Sequence, residues 1–175
     1  MHLDLQYPIG KWERTKDSTD AQRGAFIDAI AAAPASLAAA VAGLTPAQLD
    51  TTYRPGGWTI RQVVHHLPDS HMNAYVRFKL ALTEDVPTIK PYDEARWAEL
   101  PDVKSTPIET SLALLKSLHQ RWVILLRALT MEDWARRFKH PDLGPLTLDT
   151  TVQLYAWHGR HHVAHITGLR SRSGW

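Results

Sequence analysis

The chain of 175 residues contains no cysteine. That excludes a disulfide framework, a thiolate metal site and a cysteine nucleophile, so any metal must be held by His, Asp or Glu. Long runs of one charge are also missing. Twenty Lys and Arg against 18 Asp and Glu leave a formal net charge of +2 with neutral His. The basic residues are scattered, which argues against nucleic acid as a partner. No stretch approaches the roughly 20 apolar residues of a bilayer span, and Met1–Pro8 has no basic segment leading into an apolar run. The expectation is a cytoplasmic protein with neither a membrane nor a nucleic-acid partner. The HExxH zinc-protease motif, a glycine-rich phosphate loop, a serine nucleophile elbow and a paired-carboxylate signature are absent too. Strand-like alternation is nearly absent, which excludes an α/β class.

What the chain does have is helical pattern. Its length suits one domain with a sizeable core. Residues 1–18, with Tyr7, Pro8, Ile9 and Trp12, read as an irregular lead-in packed on a domain over 19–175. An Ala-rich helix is expected from Thr19 to Gly43, interrupted at Pro34. Thr45-Pro46-Ala47-Gln48, Thr59-Ile60-Arg61-Gln62 and Thr106-Pro107-Ile108-Glu109 each read as a capping box that opens a helix. The first helix is short, the second runs to about Leu82 and the third to about Leu129. The connection 83–105 holds a short helix at Asp93–Leu100, and Thr130–Ala135 adds a turn. Residues 138–146, with Pro141, Gly144 and Pro145, read as a loop. The last helix runs from Thr147 to Arg172. The fold class is therefore all-α, a four-helix bundle with long crossover connections at 44–58 and 83–105.

Histidine is the residue in excess. Four of the ten lie within eight positions, in Trp157-His158-Gly159-Arg160-His161-His162-Val163-Ala164-His165, and three lie in His65-His66-Leu67-Pro68-Asp69-Ser70-His71. Imidazole is the commonest protein metal ligand, and two histidines four apart share one helix face. Helical rotation puts His158 and His162 in the middle of a stripe with Leu154, Tyr155, His165, Ile166 and Leu169. The pair His161/His165 ranks second. A bare HxxxH is modestly specific, and its bland reading is surface decoration. On the upstream helix, His71 falls on the apolar stripe. His66 lies on a polar stripe with Gln62, Ser70, Asn73 and Arg77, and His65 points away from both. Periodicity favours His71 as the buried imidazole, whose bland reading is a hydrogen-bonded core residue. Pro68 removes the helical hydrogen bond to the Val64 carbonyl, and a kink there would rotate the two ends of this cluster. Asp69 reads either as an orienting partner of a ligand histidine or as a surface acid. Trp58, Trp97, Trp122, Trp134 and Trp157 read as core or loop anchors.

These segments resemble the DinB/YfiT-like family. The likeness covers Tyr53-Arg54-Pro55-Gly56-Gly57-Trp58-Thr59-Ile60-Arg61-Gln62-Val63-Val64-His65-His66-Leu67, Asp69-Ser70-His71-Met72-Asn73 and Arg77–Glu84. It continues through Lys90-Pro91-Tyr92-Asp93-Glu94 and Leu154–Ile166, with Tyr7-Pro8-Ile9-Gly10 and Gly174-Trp175 at the ends. Pro68 departs from the alanine expected there. The resemblance implies a DinB-like four-helix bundle holding one divalent ion on His66, His158 and His162, in place of the His71 that periodicity favours. Zinc or nickel is the implied metal, with manganese a third candidate. The implied activity is thiol S-transfer, with a low-molecular-weight thiol such as bacillithiol activated on the metal for transfer to an electrophile. A metal-dependent hydrolase using metal-bound water is the alternative. A metal-binding stress-response protein without catalysis is the alternative from another class. The partners implied are a small-molecule substrate and a second copy of the chain in a homodimer. Neither a catalytic base nor a residue contacting the thiol is assigned.

Overall fold

The computed structural model describes residues 4–175, so the first three residues of the 1–18 lead-in lie outside the described residues. In chain order the elements are α1 (Asp20–Val41), α2 (Pro46–Leu49), α3 (Ile60–Thr83), α4 (Glu94–Trp97) and α5 (Pro101–Ser105). They continue with α6 (Ile108–Arg127), α7 (Met131–Ala135), β1 (Arg137–His140), β2 (Gly144–Thr147) and α8 (Leu148–Ser173). The four long helices form the bundle: α1 and α3 each pack against both α6 and α8.

The helix starts follow local chemistry. Thr19, Thr45 and Thr59 each accept from the backbone N–H three residues on. The glutamine there (Gln22, Gln48, Gln62) accepts from the threonine N–H in return. Two orphan donors are thus satisfied at each start. Thr130 and Asp133 do the same for α7. The box expected at Thr106 does not form. Thr106 closes α5, donating its N–H to the Asp102 carbonyl, and α6 begins at Ile108 behind Pro107 with no side-chain cap. Thr106 thus sits one residue too early to cap α6. The helix expected at 93–100 is the shorter α4, and a second helix, α5, follows it beyond that range. The second opens with Pro101 in its first turn, where the missing N–H costs nothing. α1 runs unbroken through Pro34, and α3 through Pro68.

Residues 138–146, expected as loop, lie in an antiparallel hairpin over 137–147 instead, with Arg137 opposite Thr147 and His140 opposite Gly144. The prolines and glycine that suggested loop make its turn: Pro141-Asp142-Leu143 reverse the chain, and Gly144 takes φ +74°, a conformation open to glycine at little cost. The hairpin is tied to the 84–92 connection, where Ile89 N–H donates to the Lys139 carbonyl and Lys139 N–H to the Pro87 carbonyl. α1 departs from a second expectation. It is the one helix among the described residues long and apolar enough to cross a membrane. Its buried residues Ile27, Ile30, Ala33, Leu37 and Ala40 recur at helical spacing and give the bundle one face.

The apolar core is divided in two. One cluster gathers Ile30, Phe78, Trp122, Trp134, Phe138 and Val152. The other gathers Leu37, Ile60, Leu67, Leu115 and Ile166. On each helix the gap between them falls at one level: Ala33 on α1, Pro68 to His71 on α3 with His66 at its border, His119 on α6 and His158 to His165 on α8. A histidine layer therefore crosses the bundle where apolar packing would otherwise be continuous. At this level Gly159 lets α1 come close, since a Cβ on it would lie 3.2 Å from that of Ala33.

Candidate metal centre

α3 and α8 face each other at the histidine layer. They bring His66, His158 and His162 together, one ring nitrogen from each lying within 4.8 Å of the others. His66 Nε2 and His158 Nε2 are 3.3 Å apart. Two imidazole nitrogens bound to one tetrahedral zinc, each at about 2.0–2.1 Å, stand about 3.4 Å apart. His66 and His158 thus already have the spacing such an ion requires, and His162 lies within 4.8 Å of both. All three donors are imidazole and no carboxylate among the described residues joins them, a set that suits zinc, nickel, copper or iron over magnesium or calcium.

His71, which periodicity favoured as the buried imidazole, is indeed fully buried, but it lies behind the cluster. Its Nε2 is 3.1 Å from His158 Nδ1 and its Nδ1 is 2.7 Å from His119 Nε2. His119 Nδ1 lies 2.6 Å from the Ile30 carbonyl. His119 escaped the sequence reading, although Leu115, His119, Trp122 and Leu126 share a buried stripe on α6. That stripe was the signal available. Asp69 makes no hydrogen bond to an imidazole among the described residues. Its carbonyl accepts from Asn73, and the orienting place behind His158 is taken by His71. His65 turns to Ser111, with Nδ1 2.7 Å from the hydroxyl.

The second HxxxH pair is packed differently. His161 stacks on Trp157 and His165 on Tyr53, with ring centroids 4.2 and 3.9 Å apart. His165 Nε2 lies 3.1 Å from the Gln6 carbonyl. The lead-in runs antiparallel along α8 here: Trp157 donates to the Gly10 carbonyl, and Thr15 N–H donates to Gln153. Farther along, Asp149 accepts from Arg23, Ser18 and Gln153.

Burial keeps the site's imidazoles neutral. Desolvation lowers His66 from 6.5 to about 4, and His119 and His161 likewise to about 4. His158 and His162 fall well below the ordinary value, through burial first and neighbouring imidazoles second. Three neutral rings leave any bound ion its full charge. The cluster opens on a cavity of about 620 Å³, within the range of small-molecule sites. Trp58 lines it with its ring 4.7 Å from that of His66, so this tryptophan is more than the loop anchor expected. Arg54, Arg77 and Tyr92 also line it. Burial holds the Tyr92 phenol protonated. The loop bearing Trp58 turns at Arg54-Pro55-Gly56-Gly57, with Gly56 at φ +67° and Gly57 N–H donating to Arg54. A Cβ on Gly57 would lie 2.7 Å from Arg54 Cγ, so the turn has no room for a side chain there.

Comparison with known proteins follows the same lines. The profile of the DinB superfamily matches residues 29–166. A protein of Bacillus cereus (strain AH820), named "Putative metal-dependent hydrolase", is 55% identical over 172 residues, covering 98% of this chain and 99% of its own. A Bacillus anthracis protein of the same name matches equally well. YfiT from Bacillus subtilis, described as "a probable metal-dependent hydrolase with an unusual four-helix bundle topology", superposes with a TM-score of 0.96. Its identity is 51%, over 98% of this chain and 99% of that one. TT2238, a four-helix bundle protein, shares the fold at a TM-score of 0.56 and 19% identity, over 87% of this chain and 99% of its own.

Proposed function

The chain belongs to the DinB superfamily, and on that premise we propose that it is a metal-dependent enzyme whose divalent ion is held by His66, His158 and His162. The observation that carries this reading is the convergence of three neutral imidazoles from two helices at the wall of a cavity large enough for a small molecule. Zinc or nickel fits the all-imidazole set best, with manganese behind them because it prefers oxygen donors. When bound, such an ion supplies the Lewis acidity that deprotonates a coordinated low-molecular-weight thiol, bacillithiol-like in the leading reading, or that activates water in the alternative.

The chain's own residues prepare the site. His66, His158 and His162 offer lone pairs without competing protons at neutral pH. Trp58 covers His66 and presents an apolar wall to an electrophile. Arg77, which lines the same cavity and has no carboxylate partner among the described residues, offers a cation to an anionic group of the substrate. The protonated Tyr92 phenol offers a hydrogen-bond donor. The hydrolase alternative is favoured by the names of the relatives. The leading reading needs no protein thiol, and the chain has none, since the ion would deprotonate an exogenous thiol. A homodimer and a cytoplasmic location belong to the same proposal, and sedimentation at micromolar concentration tests the first.

Turnover decides between the readings. The zinc- or nickel-loaded protein is assayed with a bimane-type electrophile against a panel of low-molecular-weight thiols, with an ester panel beside it. Thiol-dependent turnover that stops with chelator is the expected result. Faster ester hydrolysis without thiol would establish the alternative, and metal-loaded protein inert in both panels would favour a non-catalytic metal-binding role.

A further inference from the structure

Three histidines stand in line behind the cluster, and their hydrogen bonds can be read in only one direction. A backbone carbonyl accepts and cannot donate. At 2.6 Å from the Ile30 carbonyl, His119 Nδ1 must therefore carry the proton. A neutral imidazole has a single N–H, and burial of these rings, 2% and 0% exposed for His119 and His71, disfavours the charged form. His119 Nε2 is then an acceptor, and the 2.7 Å contact requires His71 Nδ1 to donate to it. His71 Nε2 becomes an acceptor in turn, and the 3.1 Å contact requires His158 Nδ1 to donate. What remains on His158 is an unprotonated Nε2, the atom that lies 3.3 Å from His66 Nε2.

We infer that His71 and His119 are positioning residues that, anchored on the Ile30 carbonyl, lock His158 in its Nδ1–H tautomer and aim its Nε2 lone pair into the metal centre. The inference rests on the reading of His158 as a ligand. Free imidazole side chains in water favour the other tautomer, with the proton on Nε2. Unsupported, His158 would therefore present an N–H where an ion needs a lone pair. The surroundings hold the rings as well as the protons. Trp122 and Tyr155 meet the His71 ring edge-on at 87° and 88°, and the His119 ring lies within 15° of the His71 plane, as an in-plane hydrogen bond between them needs. The line is not a proton wire, because shifting every proton one step would leave a proton on the Ile30 carbonyl, which has too little basicity to hold it. It differs from the usual support of a metal-bound histidine, a single carboxylate or carbonyl, in placing two neutral rings between the ligand and its anchor. No negative charge reaches the centre through it.

Two measurements test this separately from the metal reading. In metal-free protein with ¹⁵N-labelled histidine, long-range ¹H–¹⁵N spectra above neutral pH should show His71, His119 and His158 protonated on Nδ1 and bare on Nε2. A proton on His158 Nε2 would overturn the inference whether or not metal binds. Zinc affinity, measured by competition with a chromophoric chelator, should then fall about ten- to a hundredfold in His119→Phe, the range typical for loss of an outer partner of a ligand. His119→Gln, which keeps a donor for Ile30 and an acceptor for His71, should regain most of that loss and the wild-type tautomer at His158. Equal zinc affinity in wild type and His119→Phe would reject the positioning role while leaving the ligand set intact. Failure of the wild type to bind zinc would reject the ligand set itself, and the aim assigned to the line with it. If His119→Phe does not fold, the wild-type spectrum and His119→Gln still decide.

Discussion

Two HxxxH pairs on α8 have the same spacing and opposite fates. His158 and His162 look across at His66 and the cavity. His161 and His165, three residues farther round, are stacked on Trp157 and Tyr53 and crossed by the lead-in. His161, His162 and His165 are buried and His158 is half-buried, so burial does not single out the first pair. The facing element does. The first pair meets a third imidazole on a rigid helix, whereas the second meets aromatic faces and a backbone carbonyl. A ligand motif is thus completed by what stands opposite it, and spacing along one helix supplies half of that information.

Breaking the first pair should have the largest effect. His158→Ala, His162→Ala and His66→Ala should each lower zinc or nickel affinity on the order of a thousandfold, a fair share of the roughly 10–16 kcal/mol that small structural zinc sites command. His161→Ala and His165→Ala should keep about one ion per chain. Elemental analysis after gel filtration checks this, and metal lost from His161→Ala but retained in His162→Ala would reverse the assignment of the two pairs.

A smaller effect concerns pH. Because His66 falls from 6.5 to about 4 on folding, the unfolded chain binds the proton that the folded protein refuses between those values. Stability of the metal-free protein should therefore be flat with respect to this group above pH 6.5, decline as pH falls through the window, and level off below about 4. For His66 alone the shift corresponds to about 3 kcal/mol. Urea melts of wild type against His66→Gln isolate the contribution, and identical pH profiles would refute it. Metal occupancy should follow the same shift, persisting well below pH 6.5 and failing as pH nears about 4.

The smallest effect sharpens the contrast at the level of single atoms. Gly159 lies among the ligands, and a Cβ there would come 3.2 Å from Ala33 Cβ. On Gly168 the nearest atom would be the movable Arg172 Nη1, also at 3.2 Å. Gly168→Ala should gain up to about 1 kcal/mol from helix propensity. Gly159→Ala should lose about that much, because overpacking exceeds the same gain. Thermal midpoints should move in opposite directions, and a shared rise would show that α1 yields freely to α8.

The four long helices were legible because their apolar stripes are periodic, helped at α3 by the local chemistry of its start, Thr59-Gln62. The hairpin at 137–147 was not, since Pro141, Gly144 and Pro145 signal a break in helix without saying whether the flanking residues pair. The site was half legible. Periodicity singled out His158 and His162 and the burial of His71. It could not choose His66, because a polar stripe facing a cavity and one facing solvent look alike in one dimension. Family resemblance supplied that residue, and α3 brings it to the cluster despite Pro68. His119 carried no motif at all. Its importance comes from a contact with Ile30, 89 positions away in the chain, and nothing local encodes such a distance.

The lead-in has a consequence for the order in which the molecule is made. Gln6, Gly10 and Thr15 leave the ribosome early, yet their partners His165, Trp157 and Gln153 lie on α8. Contacts spanning so much of the chain are slow to close. A nascent chain can therefore assemble α1, α3 and α6, with His66, His71 and His119 already in place, while the start of the chain still waits for its groove. The three-histidine cluster is absent from every intermediate of synthesis until α8 is translated, and an ion cannot be captured by a half-made protein through this set of ligands.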